Sequence, residues 1–162
     1  MNNYRPRITK TEWHLIKEYR KTNNNGFNNI LVIGDLHEPF CLDDYLDFCI
    51  EKYKEFSCTE VVFIGDCLDN HFSSYHETSA DGMGGSDELE LSIKRIARWY
   101  KAFPKATVII GNHDRMVMRK AQTSAIPSKW IKSYKEVLEV PGWNFVERYV
   151  KDGVQYIHGR GS

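Results

Sequence analysis

The segment NILVIGD at residues 29–35 is a short apolar run that ends in a glycine and an aspartate. The pattern recurs as EVVFIGD at residues 60–66 and as ATVIIGNHD at residues 106–114. Continuous apolar runs of this length are typical of strands that are buried on both faces. The three segments therefore predict three strands of one sheet.

Amphipathic helices are predicted around these strands. Apolar residues recur at helical spacing over residues 42–55 and over residues 87–103, where Ser86 is a suitable N-cap. A further helix is predicted near residues 128–139. Strands that alternate with helices need crossover connections, which favour a parallel sheet. The predicted fold class is therefore α/β.

The two ends of the chain differ in their predicted structure. Residues 1–28 are predicted to be a helical extension, with a helix over residues 9–22, and residues 29–162 to be the main domain. Near the other end, two alternating runs flank Asp152-Gly153. These runs predict a β-hairpin that ends at His158.

The composition is typical of a folded globular protein, with 41% hydrophobic and 27% charged residues. A net charge of zero argues against a protein that binds long nucleic acid through a global positive field. However, residues 31–91 contain 15 acidic and 2 basic side chains, whereas residues 92–162 contain 14 basic and 5 acidic ones. Either the surface helices of the two regions happen to carry charges of opposite sign, or the acidic residues hold cations while the basic residues help to hold an anion.

The cysteines and the first residues bear on the compartment. Four cysteines without a CxxC spacing indicate free thiols rather than a zinc ribbon or a redox dithiol. The first residues, MNNYRPRITK, lack the apolar core of a signal peptide, and no apolar run approaches the roughly 18 residues of a membrane span. We therefore expect a cytoplasmic protein without membrane contact.

Each predicted strand is followed by a side chain that can bind metal, in Gly34-Asp35, Gly65-Asp66 and Gly111-Asn112. The carboxyl ends of parallel strands share one edge of the sheet, where ligands bind, and glycine there permits sharp turns and close approach. Asp35 and His37 are two residues apart, so in an extended segment both point to the same side. One such residue alone is more often a turn, a cap or a hydrogen-bonded histidine. The repeated pattern indicates a metal site.

These motifs resemble those of the calcineurin-like metallophosphoesterases. GDLH at residues 34–37, GDCLD at 65–69 and GNHD at 111–114 are similar in order and spacing to the first three motifs of that superfamily. GDLHEPF, and GNHD followed by arginine, resemble its small bacterial and phage-type members. The resemblance runs from about residue 29 to the end. It implies a layered αββα sandwich.

The resemblance also implies which residues hold metal. Two divalent ions would be bound, most readily manganese, with iron, zinc, nickel or cobalt as alternatives because oxygen and imidazole ligands suit them better than calcium. Asp66 would bridge the two ions. Asp35 and His37 would ligate the first ion, and Asn112 and His158 the second.

Other motif residues are implied to act on the substrate. His113 would face the substrate and stabilise or protonate the leaving oxygen. The Asp69 carboxylate would hydrogen-bond His113 and favour its charged form. Arg115, Arg119 and Asn70 are candidates for contact with the phosphate.

The sequence departs from the superfamily pattern in two places. A GHxH motif normally supplies one histidine to each metal, but this sequence ends at HGRGS. We expect a truncated chain, or ligands from water or a second subunit, and an incomplete second sheet that would favour a homo-oligomer. Asn70 and His71 stand where the serine/threonine protein phosphatases have Arg-Gly, so a protein phosphatase is less favoured.

The predicted function is hydrolysis of phosphate mono- or diesters, nucleotides included, by a hydroxide that bridges two divalent metals. The alternative is a catalytically impaired binding or assembly module with the same fold. A nucleotide-binding α/β domain is disfavoured because neither GxGxxG nor GxxxxGK[ST] follows the first strand.

Overall fold

The computed structural model describes residues 28–74 and 81–159, together with Lys10 and His14. The helix predicted over residues 9–22 therefore lies outside the described residues, apart from those two positions. The same holds for most of the extension predicted at residues 1–28.

A four-stranded parallel sheet forms the centre of the fold. Its strands are β1 (Ile30–Ile33), β2 (Glu60–Phe63), β3 (Ala106–Ile109) and β4 (Trp143–Val146), in the spatial order β1-β2-β3-β4. Every neighbouring pair is parallel. The carboxyl ends of all four strands consequently lie at one edge of the sheet, where the predicted ligands follow the first three.

Helices connect the strands as predicted, with small shifts. α1 (Tyr45–Glu55) follows β1, and α2 (Gly85–Ala102) follows β2. The N-cap of α2 is Gly84, so the prediction of Ser86 at this position is wrong. Between β3 and β4 lie α3 (Met116–Thr123) and the short α4 (Tyr134–Leu138). The α/β fold class is confirmed.

The helix predicted over residues 128–139 is divided in two. A single 3-10 turn occupies Ser128–Trp130, and α4 begins only after Ser133. Ser133 and Glu136 form a capping box, in which each side chain satisfies a backbone N–H of the other residue. This local hydrogen bonding starts a new helix instead of continuing the preceding turn.

The second sheet is an antiparallel hairpin of β5 (Tyr149–Lys151) and β6 (Val154–Tyr156). Asp152 and Gly153 have φ of 49° and 77°, the positive values that a tight two-residue hairpin turn needs. The predicted hairpin is thus confirmed. The Tyr149 hydroxyl donates a hydrogen bond to the Glu60 carboxylate, which anchors the hairpin at the start of β2.

The first alternating run of this region is not one strand, as predicted, but two. Its beginning joins the parallel sheet as β4 because Trp143 is fully buried and its ring packs 4.7 Å from that of Phe63, centroid to centroid. The Trp143 indole N–H also donates to the Phe103 carbonyl oxygen at 2.8 Å. Glu147 and Arg148 then turn the chain into β5.

The strand β1 is also less buried than its apolar sequence predicts. It is one of the two edge strands of the sheet, and Val32 is 47% exposed. The expectation of burial on both faces holds better for β2, where Val61, Val62 and Phe63 are all buried. Burial therefore depends on the position in the sheet as well as on the apolar run.

A buried ion pair fastens the loop after β1 to α2. The Glu38 side chain is 2% exposed and accepts hydrogen bonds from Arg95 Nε and, at 2.9 Å, from Trp99 Nε1. Ser92 Oγ donates to the Glu38 carbonyl oxygen at 3.0 Å. Because Glu38 directly follows His37, this clamp places a predicted metal ligand against the helix.

Replacing Arg95 with methionine is expected to lower the free energy of unfolding by about 3 kcal/mol, because it leaves the buried Glu38 carboxylate without its cation. Urea denaturation measures the change. Arg98→Met is the matched control, since Arg98 is 48% exposed and lies 3.9 Å from Asp43; its effect should stay within about 0.5 kcal/mol. Equal losses for both variants would contradict a specific role for Arg95.

Candidate metal centre

Two clusters of potential metal ligands lie at the carboxyl edge of the sheet. Within each cluster, one ligand atom from each residue lies within 4.8 Å of the others. The first cluster is His37, Asp69 and His113, and the second is Asp35, Asp66 and His158. The loops that follow β1, β2 and β3 thus converge, as the parallel topology predicts.

The loops after β1 and β2 are joined through their backbones. The His37 N–H donates to the Asp66 carbonyl oxygen at 2.9 Å, and the Glu38 N–H to the Cys67 carbonyl oxygen at 3.0 Å. His37 and Asp66 both adopt left-handed backbone conformations, with φ of 47° and 50°. The assumption of an extended segment from Asp35 to His37 is therefore wrong. Non-glycine residues in this conformation are uncommon and concentrate at functional sites.

Two of the three motif glycines are required by close packing. A Cβ on Gly111 would lie 2.0 Å from Asp66 Oδ1, and one on Gly65, whose φ is 113°, would lie 2.5 Å from His158 Nδ1. The prediction of close approach is confirmed at these positions. At Gly34 the nearest atom, Ile64 Cγ2, would be 3.9 Å away, so this glycine is not needed for space.

His158 brings three electron-rich atoms together. Its Nδ1 lies 2.9 Å from the Ile64 carbonyl oxygen, which can only accept a hydrogen bond, so the proton is on Nδ1. Its Nε2 lies 2.8 Å from Asn112 Oδ1 and 3.3 Å from Asp66 Oδ2. Lone pairs at these distances repel unless a proton on Nε2, a rotated Asn112 amide or a metal ion relieves the contact. The donor set therefore fits a bound cation.

His37 is oriented for the same purpose. Its Nδ1 lies 2.9 Å from Asp69 Oδ1, and its Nε2 lies 3.9 Å from Asp66 Oδ2. A carboxylate that accepts the Nδ1 proton leaves the Nε2 lone pair free, which is the usual arrangement around histidine ligands of metals. Asp69 thus fixes the ring of His37 with Nε2 directed toward Asp66.

Asp66 lies between the two clusters. It is 4% exposed, and its Oδ1 accepts the His113 backbone N–H at 2.9 Å. Its Oδ2 is the atom that faces Nε2 of both His37 and His158. One carboxylate oxygen with an imidazole on either side fits a ligand shared by two cations.

Asp35 is an exposed member of the predicted ligand set, with a side chain that is 58% exposed. Its Oδ1 lies 3.9 Å from His158 Nδ1, and it belongs to the cluster of Asp66 and His158. The structure thus groups Asp35 and His37 with different partners, whereas they were expected to ligate one ion together.

His113 and Asp69 are adjacent but not bonded as expected. His113 Nδ1 lies 2.6 Å from the Asp69 carbonyl oxygen and 3.7 Å from its carboxylate, which bonds His37 instead. The expected hydrogen bond between the Asp69 carboxylate and His113 is therefore replaced by one to the backbone. The rings of His37 and His113 meet edge to face with centroids 4.6 Å apart.

The residues predicted to contact phosphate have other partners. Asn70 is buried and its amide donates to the His113 carbonyl oxygen at 3.0 Å, which favours a positioning role over direct contact. Arg115 Nη2 donates to the Ile110 carbonyl oxygen at 3.1 Å and pairs with Glu147. Arg119 lies on the exposed surface of α3.

Asp114 is a site residue for which no role was predicted from the sequence. Its buried carboxylate accepts the Gly111 N–H at 2.8 Å and the Leu68 N–H at 3.2 Å, joining the loops after β2 and β3. Burial raises its pKa, and the two backbone donors oppose that shift. Its position as the last residue of the GNHD motif is the sequence feature that could have predicted a role in the site.

Glu88, at the start of α2, is buried and accepts the backbone N–H groups of His71 and Phe72 at 2.8 and 3.3 Å. It holds the turn that follows Asn70, and no sequence spacing indicated this.

All four cysteines are free, as predicted. Burial and the nearby carboxylates raise the pKa of Cys67 well above its usual range, so its thiol stays protonated.

Comparison with known proteins found a family match. A family model described as calcineurin-like phosphoesterase matches residues 29–162. No curated protein and no solved structure matches the chain. Within the part of the chain that the structure describes, no helix has the length and apolar character needed to cross a bilayer.

Proposed function

The chain belongs to the calcineurin-like phosphoesterase family, and we propose that it hydrolyses phosphate esters with two divalent metal ions at the carboxyl edge of its sheet. The observation that carries this proposal is the convergence of His158 Nε2, Asn112 Oδ1 and Asp66 Oδ2, a group of donor atoms that would suit a cation. His37, from the other cluster, directs a further imidazole nitrogen toward the same Asp66 oxygen, with its Nε2 3.9 Å from Oδ2. Manganese is the proposed metal, with iron, zinc, nickel or cobalt as alternatives, because mixed oxygen and imidazole donors suit these ions better than calcium.

The ions and the chain have separate tasks in the proposed reaction. Two divalent ions, when bound, make water more acidic and neutralise charge on the phosphate. Asp66 would be shared between them, and the Asp69 carboxylate would keep His37 Nε2 available. Water oxygen forms a bond to phosphorus, and the bond from phosphorus to the leaving oxygen breaks.

His113 is proposed to supply the proton that the leaving oxygen takes up. Its Nδ1 proton is held by the Asp69 carbonyl oxygen, so any second proton is on Nε2 and can be transferred from there. The Asp69 carboxylate at 3.7 Å is close enough to stabilise the imidazolium. Asn70 holds the His113 backbone from the other side.

The test combines turnover with metal content. The full chain, loaded with manganese, should hydrolyse p-nitrophenyl phosphate or its bis ester, and a chelator should abolish the activity. His113→Gln should lower kcat by at least about 100-fold while two manganese ions per chain remain bound, because it removes a proton donor and no ligand. Metal content is measured on the dialysed protein by atomic emission.

Two outcomes would contradict the proposal. The first is turnover that survives complete removal of metal. The second is full manganese occupancy with no turnover of either ester, which would instead support a binding or assembly module with this fold.

A further inference from the structure

A cavity of ≈ 570 Å³ opens beside the second ligand cluster. Asn112 and His158 line this cavity and also face Asp66 or each other within the cluster. The volume lies within the range of about 300–1,000 Å³ that is usual for small-molecule sites. A phosphate held at the cluster would therefore have room beside it for an organic group of considerable size.

Most of the side chains that line the cavity are polar. Ile110 and Ile157 are its apolar side chains, and the others carry charge or an amide: Arg115, Glu147, Arg148 and Gln155. Guanidinium groups bind phosphate, and an amide can both donate to and accept from hydroxyls and ring nitrogens. This lining suits a nucleotide better than an acyl chain.

The two arginines of the wall are not equivalent. Arg115 is tied to the Ile110 carbonyl oxygen and its charge is offset by Glu147. The Arg148 guanidinium has no hydrogen-bond or ion-pair partner among the residues that the structure describes. Arg148 is therefore the cation of this wall that is available to an anionic ligand.

The backbone holds Arg148 close to the catalytic edge. Together with Glu147 it forms the two-residue connection between β4 and β5. β4 is parallel to β3, so this connection leaves the sheet at the same edge as Asn112. β4 and β5 are each paired in their own sheet, and a connection this short between them limits how far the Arg148 backbone can move.

We propose that the substrate is a nucleotide-sized phosphodiester whose organic group occupies this cavity and presents a second phosphate to Arg148. The inference rests on the proposed hydrolase function and specifies its substrate class. Water adds to the phosphorus at the metal centre, the ester bond breaks, and the nucleotide departs with the proton that its oxygen received. The second phosphate takes no part in bond breaking and contributes binding.

The experiment compares substrates that differ by one phosphate. The full chain with manganese is given thymidylyl-thymidine and its 5′- and 3′-phosphorylated forms. At least one phosphorylated form should show a kcat/KM about tenfold higher than the unphosphorylated dinucleotide, as expected for a charge-assisted contact. Arg148→Ala should bring this ratio close to one, and the control Arg98→Ala should leave it unchanged.

Failure of this inference can be told apart from failure of the proposed function. Turnover of p-nitrophenyl phosphate with a ratio of one for both dinucleotide pairs would overturn the inference and leave the hydrolase intact. If no ester is turned over, calorimetric binding of thymidine 3′,5′-bisphosphate and thymidine 5′-monophosphate decides. Arg148→Ala must then weaken binding of the bisphosphate by about tenfold and leave binding of the monophosphate unchanged. Equal affinities of the unchanged chain and of Arg148→Ala for the bisphosphate would refute the inference.

Discussion

Asp66→Asn is expected to abolish manganese-dependent hydrolysis, with a loss of at least about 10³-fold in kcat/KM. The substitution keeps the size of the side chain and an oxygen that can accept the His113 N–H. It removes the negative charge from the position that faces both His37 and His158. Because Asp66 Oδ2 faces one histidine of each cluster and is proposed to be shared by both ions, bound manganese should fall for both ions and not for one.

The measurement pairs metal titration with thermal unfolding. Asp66→Asn should bind manganese at least about 100-fold more weakly, yet the metal-free protein should unfold within a few degrees of the unchanged chain, since the backbone hydrogen bond is kept. Asp47→Asn, in the exposed first turn of α1, is the control and should change neither quantity. Retention of one tightly bound manganese ion in Asp66→Asn would show that Asp66 is not shared.

Much of the fold follows from local sequence. Apolar runs that end in glycine predicted β1, β2 and β3, because strands of a parallel sheet that is covered on both faces have continuous apolar sequences. The convergence of Asp35, Asp66 and Asn112 then follows from topology alone, since parallel strands end at one edge. The Asp152-Gly153 turn could also be predicted from the sequence, because both residues tolerate positive φ.

The details of the site could not be predicted from the sequence, because they depend on contacts between residues that are distant in sequence. The left-handed conformation of His37 is held by a hydrogen bond to Asp66, and only with that geometry does its Nδ1 meet Asp69. Glu38 pairs with Arg95, which lies 57 residues further along the chain. Likewise, β4 separates from β5 because Trp143 is buried against Phe63. Periodicity along the chain carries no signal for any of these pairs.

Two of the three strand-end glycines, Gly34 and Gly111, offer a test of how tightly the metal centre is packed. Gly111→Ala places a Cβ 2.0 Å from Asp66 Oδ1 and 2.3 Å from the Asp66 backbone nitrogen. A side chain could rotate away from such a contact, but backbone cannot without moving the whole loop. We expect a loss of about 2–3 kcal/mol in the free energy of unfolding and at least about 100-fold in kcat/KM.

Gly34→Ala is the matched control, because the same added methyl group meets its nearest neighbour at 3.9 Å, an ordinary van der Waals distance. Its unfolding free energy should change by less than about 0.5 kcal/mol and its activity by less than about threefold. Urea denaturation and p-nitrophenyl ester hydrolysis measure both variants. Equal tolerance of alanine at the two positions would mean that Asp66 has freedom to move, and a carboxylate with that freedom could not hold two cations in fixed geometry.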